Sequence, residues 1–135
     1  MASTEAASGK RPRPLSPHLL IYKPTMTMAM SIVHRITGGA LYVGVLLLAW
    51  FLIAASADAG TFSWFSAFIG SFIGQLILFG FTWALFHHLL GGIRHFIWDA
   101  GYGLDAPLRD QLAWATLIGG LALTIIAWII AFAIG

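Results

Sequence analysis

The chain has 135 residues, 59% of them hydrophobic and only 9% charged, whereas soluble domains carry about a quarter of their residues as Asp, Glu, Lys or Arg. With 7 Lys or Arg against 5 Asp or Glu, a formal charge of +2 and a mean hydropathy of +0.87, the main solvent is lipid, which argues against a soluble enzyme. Three spans of roughly 20 residues leave no room for a catalytic domain, and a chain with no Cys holds no disulfide, thiolate-bound zinc or iron–sulfur cluster of its own.

Residues 1–28 form the first unit. They contain Lys10, Arg11, Arg13 and Lys23, together with Pro12, Pro14, Pro17 and Pro24, and no apolar run of signal-peptide length. Proline fixes φ, removes an amide donor and restrains its predecessor, so this segment is expected to be extended or turn-like. It reads as a short Pro-rich cytoplasmic segment, with Leu15, Leu19, Leu20, Ile21 and Tyr22 available to the headgroup layer. Glu5 and the prolines fit a mitochondrial transit peptide poorly, which favours a bacterial inner membrane.

Residues 29–135 form the membrane domain. No Lys, Arg, Asp or Glu occurs between Arg35 and Asp58, so the first span is predicted over about 29–56. Asp58, Gly60 and Ser63 suggest a turn. From Ala59 to Ile93 the only ionisable side chains are His87 and His88, so one helix is predicted over about 64–98, long enough to tilt or project. A loop with Gly101, Gly103, Pro107, Arg109 and Asp110 leads to an uncharged third span, about 111–134. The expected fold is all-α, a three-helix transmembrane bundle.

Residues 1–35 carry Lys10, Arg11, Arg13, Lys23 and Arg35, the second connection adds Arg94 and Arg109, and the first connection and the C-terminus carry none. The positive-inside rule therefore puts the N-terminus and the second connection in the cytoplasm and the C-terminus in the periplasm. Trp50 and Trp64 then fall near the outer interface and Trp98 and Tyr102 near the inner one, as an aromatic belt requires.

Ionisable groups inside a membrane cost about 2.5–3.5 kcal/mol on insertion scales, so each is a functional candidate. Ser31, His34 and Arg35 stand at the cytoplasmic start of span one, and His87, His88, Arg94 and His95 in the cytoplasmic half of span two. With the inner boundary taken near Ala29 and Trp98, a rise of about 1.5 Å per residue puts His34 roughly 7 Å deep, about 8 Å shallower than His88. His88 and His95 share a face, and His87 is rotated by about 100°. From spacing alone His88 is either a haem axial ligand or a hydrogen-bonded structural histidine, with Gly91 and Gly92 small enough for a macrocycle or a helix to approach. His87 reads as packing or as a surface of the bundle facing a partner. His34 and Arg35 lie where anionic propionates would reach. Ser31 and Arg35, four residues apart, either address a quinone carbonyl or act as a helix cap and a phosphate anchor. Arg94 and Asp99 read as an interfacial ion pair.

Three stretches occur in order: Arg13-Pro14-Leu15-Ser16-Pro17-His18-Leu19, Ser31-Ile32-Val33-His34-Arg35-Ile36-Thr37-Gly38, and His88 to Asp99 with Gly91-Gly92-Ile93-Arg94-His95 and Trp98. Together they resemble the cytochrome b membrane-anchor subunits of succinate dehydrogenase, respiratory complex II, in the mitochondrial and alphaproteobacterial branch. The resemblance implies a haem b shared with a second membrane-anchor subunit, ubiquinone as substrate, and iron–sulfur and flavoprotein subunits as partners, with no succinate-oxidising activity in this chain. It makes His88 the axial haem-iron ligand, Ser31 and Arg35 the quinone site, His34 and Arg35 neighbours of the propionates, and His95 a haem-proximal residue. The lipid bilayer is the remaining partner, and no nucleic acid is implied. A transporter with a polar histidine path and a cofactor-free structural anchor are the competing classes. The absence of a membrane-embedded acid and of paired helix interruptions argues against the transporter.

Overall fold

The computed structural model describes residues 23–134. The Arg13–Leu19 motif and most of the Pro-rich segment lie outside the described residues. Four helices follow in order: α1 (Met26–Ser56), α2 (Ala59–Gly70), α3 (Phe72–Asp99) and α4 (Ala106–Ile134). Of these, α1, α3 and α4, with 31, 28 and 29 residues, are long and apolar enough to cross a membrane. At about 1.5 Å per residue each is more than about 40 Å long, against roughly 30 Å of hydrocarbon, so tilt or projection is required.

The start of α1 is set by Thr25, whose hydroxyl accepts from the Met28 amide at 3.4 Å. The helix therefore begins earlier than residue 29, and Ser31 lies inside it rather than capping it.

The second predicted span is not one helix. It breaks at Ser71, which ends α2 and caps α3 in an extended conformation (φ −69°, ψ 160°). The Ser71 hydroxyl donates to Phe68 O at 2.6 Å and accepts from the Gly74 amide at 3.1 Å, while Gln75 Nε2 donates to Ile69 O at 2.9 Å. These bonds satisfy the backbone groups that a helix break frees. Gly74 lets the α2 backbone fold back: a Cβ there would collide with Phe68 O and lie 2.7 Å from Ile69 Cα. Trp50 of α1 packs against Phe65 and Phe68 of α2, each with centroids 5.1 Å apart, which fastens the short helix to the bundle.

Packing is inverted relative to a water-soluble bundle. The buried positions are mostly small or polar, Thr37, Gly44 and Ala54 on α1, Gly74, Ala84, His87, Gly91 and Arg94 on α3, and Ala113, Thr116, Gly120 and Thr124 on α4. Large apolar residues such as Ile36, Leu46, Ile73 and Ile129 point outward. Lipid gives helices no hydrophobic reason to associate, so small residues that allow close backbone approach do the packing. Thr116 and Thr124 satisfy their own hydroxyls on Leu112 O and Gly120 O.

The start of α1, the end of α3 and the start of α4 meet at one end of the bundle. There Thr27 Oγ1 donates to Asp110 Oδ1 at 3.0 Å, and Trp98 Nε1 donates to Gly103 O at 3.0 Å. All the histidines that the structure describes lie on the first third of α1 or the last half of α3, toward this end.

Candidate functional site

On α3 the positions of Arg94, His87, Trp98, Gly91, His95 and His88 fall, in that order, within an arc of about 120°. One edge of the arc faces into the bundle and the other faces α1. His87 and Arg94 occupy the inner edge and are buried. His88 occupies the α1 edge, and His95 is exposed.

His88 is clamped by a single turn of α1. Its ring lies face to face with that of His34, centroids 3.9 Å apart and planes 8° from parallel. Its Nδ1 lies 3.2 Å from His34 O and 3.3 Å from Thr37 Oγ1. The carbonyl oxygen only accepts, so Nδ1 carries the proton, which leaves Nε2 as the nitrogen whose lone pair a metal could take. Metal-ligating histidines are commonly oriented in this way, with one nitrogen donating to a carbonyl and the other facing the metal. On the other side of the contact, Gly91 accommodates His34, because a Cβ there would collide with His34 Nδ1. Gly92 meets nothing within 4 Å and plays no such part.

The expected depth difference of about 8 Å between His34 and His88 does not hold, since the two rings touch. Starting α1 at Met26 accounts for about 4.5 Å of it at 1.5 Å per residue. The rest means that the two helix ends do not share one level. His87 takes the other side of α3, fully buried, with its ring 5.2 Å from Trp83 and its backbone against Gly120 of α4. Both of its ring nitrogens are without hydrogen-bond partners.

The reading of Arg94 and Asp99 as an interfacial ion pair is overturned. Arg94 is 2% exposed, its guanidinium carbon sits 5.1 Å from the centroid of the Trp98 ring, and Nε and Nη1 have no hydrogen-bond partner. The one ion pair among the described residues is Arg109 with Asp110, at 3.5 Å. Trp98 is in turn edge-on to His95 at 5.2 Å, and His95 edge-on to His34 at 5.4 Å. Arg94, Trp98 and Thr37 are therefore members of the cluster that sequence reasoning assigned elsewhere or passed over. The seven-residue interval from His87 to Arg94, one helical face, was the available signal for Arg94; nothing local marked Thr37.

Ser31 and Arg35 share the outer face of α1, both exposed. No hydrogen bond or ion pair with a described residue holds either one, so both polar groups are presented away from the bundle. They do not join the histidine stack.

An imidazole nitrogen is a common protein ligand of haem iron. His88 offers such a ligand, and Arg94 offers buried N–H groups that lack an anion.

The profile of the succinate dehydrogenase/fumarate reductase transmembrane subunit family matches residues 9–130. The succinate dehydrogenase cytochrome b556 subunit of Paracoccus denitrificans is 41% identical over 120 residues, covering 89% of this chain and 92% of that protein. The cytochrome b560 subunit of Reclinomonas americana is 36% identical, covering 87% of this chain and 85% of that protein. The mitochondrial b560 subunit of Sus scrofa is 41% identical, covering 78% and 64%. With three membrane-crossing helices and a match over nearly its whole length, this chain belongs to the family of succinate dehydrogenase/fumarate reductase transmembrane subunits.

Proposed function

We propose that this chain is the haem b- and ubiquinone-binding anchor of a bacterial succinate dehydrogenase, holding the flavoprotein and iron–sulfur subunits on the inner membrane and conveying electrons from the iron–sulfur subunit to ubiquinone. The observation that carries the reading is the engagement of His88 Nδ1 by His34 O, which leaves Nε2 as the ligating nitrogen. Bound haem supplies a one-electron redox centre whose potential follows its axial ligands and surroundings. A second protein ligand would have to come from another membrane-anchor subunit, because His34 lies flat against His88 and could not bind the same iron from the other side. His34 and His95, in edge contact at 5.4 Å, would give the propionates a polar edge, with Arg35 next to His34 in the chain but on the outer face, and buried Arg94 adds unpartnered donors at the same end.

Ser31 and Arg35 bind the quinone headgroup. The Ser31 hydroxyl donates to a carbonyl oxygen, and the Arg35 guanidinium stabilises negative charge growing on that oxygen as electrons arrive. Two electrons and two protons convert quinone to quinol; succinate oxidation stays with the flavoprotein. The N-terminus and the α3–α4 connection face the cytoplasm and the C-terminus the periplasm, an orientation supported by the distribution of Lys and Arg.

The test is a reduced-minus-oxidised visible spectrum of the detergent-purified complex, wild type beside His88→Ala, with the second anchor subunit co-expressed. A b-type signal that disappears with His88 is expected. An undiminished signal in His88→Ala overturns the ligand assignment, and no signal in wild type overturns haem binding.

A further inference from the structure

One turn of α1, His34-Arg35-Ile36-Thr37-Gly38, supplies every contact that orients the His88 ring toward this helix. His34 covers one ring face at 3.9 Å. His34 O and Thr37 Oγ1 flank Nδ1 at 3.2 and 3.3 Å. Gly38 borders the next ring atom, where a Cβ would stand 3.1 Å from His88 Cε1. Thr37 is 1% exposed, so its hydroxyl has no water to turn to. That hydroxyl donates to His34 O at 3.0 Å. With its proton committed there, the oxygen has only lone pairs to offer Nδ1, and the Nδ1 proton is shared between two acceptors.

We infer that Thr37 is a positioning residue for the axial ligand: its hydroxyl, together with His34 O, fixes the plane and tautomer of the His88 imidazole and so tunes the haem. The inference rests on His88 being the ligand. Two acceptors on Nδ1–H raise the electron density that the ring offers through Nε2, as outer-shell partners of ligating histidines do. A more electron-rich ligand favours the ferric state, so the hydroxyl holds the haem potential down. Gly38 is part of the same device, because a Cβ there would press on His88 Cε1 and shift the ring by a few tenths of an ångström against the two oxygens.

The experiment uses the whole membrane complex and compares wild type, Thr37→Val, Thr37→Ser and Gly38→Ala. Haem content, redox midpoint and the low-temperature EPR g-values of the ferric haem are read, the last because they follow the planes of axial imidazoles. Thr37→Val, equal in shape but without the hydroxyl, is expected to raise the midpoint and shift the low-field g-value. Thr37→Ser is expected to restore both, which a packing role alone would not achieve. Wild-type midpoint and g-values in Thr37→Val at full haem content overturn the inference. If Thr37→Val does not assemble, Gly38→Ala decides: shifted g-values support the cradle, and unchanged ones overturn it. Failure of the underlying haem reading is seen separately, as a wild-type complex without a b-type signal or one in which His88→Ala keeps it.

Discussion

His34 and His88 lie in parallel contact, 3.9 Å between ring centroids, with the Gly91 backbone directly against the His34 ring. This stack couples the polar start of α1 to the middle of α3, and it leaves no space for a methyl group at residue 91. Gly91→Ala should therefore force the His34 ring off His88. Overpacking of this kind costs about 1–3 kcal/mol. Expected outcomes are a lower thermal midpoint of the purified complex and a reduced haem-to-protein ratio. Gly92→Ala is the internal control: with nothing within 4 Å of its added Cβ, it should leave haem content unchanged and stability equal to or slightly above wild type, since Ala is the better helix former by about 0.5–1 kcal/mol. Equal behaviour of the two variants would rule out the close approach at Gly91.

The three spans were legible because lack of charge over about 20 residues is a strong signal, and the gathering of His34, His88 and His95 at one end followed from alternation of the spans. The break at Ser71 was not legible by that criterion, since Gly70, Ser71 and Gly74 change the backbone without changing hydropathy. Depth failed for a similar reason: it depended on where α1 begins, and a capping Thr25 moved that point to Met26. The face of α3 was readable by helical geometry, and on it Arg94 follows His87 by two turns. Its charge nevertheless pointed to an interfacial pair with Asp99, because an Arg buried without a partner contradicts the usual cost of burying charge. Thr37 was invisible because its contact with His88 joins two helices.

Ser31 and Arg35 offer their polar groups outward from α1 with no described partner. If both bind quinone, Ser31→Ala and Arg35→Gln should lower succinate:ubiquinone reductase activity while leaving succinate oxidation by an artificial soluble acceptor intact. A hydrogen bond involving a charged group is worth about 1.5–3 kcal/mol, or about 10- to 150-fold, so Arg35→Gln should be the more severe. Parallel loss of both activities would point to failed assembly rather than a missing quinone contact.

Asp58 caps α2, accepting from the Gly60 and Thr61 amides at 2.8 and 3.0 Å and from the Thr61 hydroxyl at 2.7 Å. The Thr61 hydroxyl, followed by its amide and that of Gly60, holds the Asp58 carboxyl below its ordinary value. A depressed folded-state value stabilises the cap fully above the ordinary carboxylate range, and that contribution is lost as pH falls through the folded-state value, which lies lower still. The first turn of α2 should therefore fray only in acid. Asp58→Asn keeps a capping oxygen but cannot titrate, so NMR shifts of residues 60–62 in detergent should lose this acid step. Retention of the step in Asp58→Asn would assign it to another group.

Arg94 presents the sharpest imbalance in the bundle: a guanidinium 2% exposed, stacked on Trp98, with Nε and Nη1 unpartnered. Stacking on an indole face contributes about 0.5–2 kcal/mol, which does not offset the several kcal/mol of removing an ion from water. The imbalance calls for an anion at this end of the bundle, and a haem propionate has the required charge and planar carboxylate. Arg94→Met removes the charge while keeping much of the apolar stem, and it should weaken haem retention by about 10- to 150-fold, the equivalent of a charge-assisted bond of about 1.5–3 kcal/mol. Arg94→Lys keeps the charge but loses the planar fork and should fall between the two. Haem per complex after repeated size-exclusion chromatography is the measurement. If Arg94→Met holds haem as firmly as wild type, the counter-charge belongs to a protein group, and the same variants should then be scored for retention of the partner subunits.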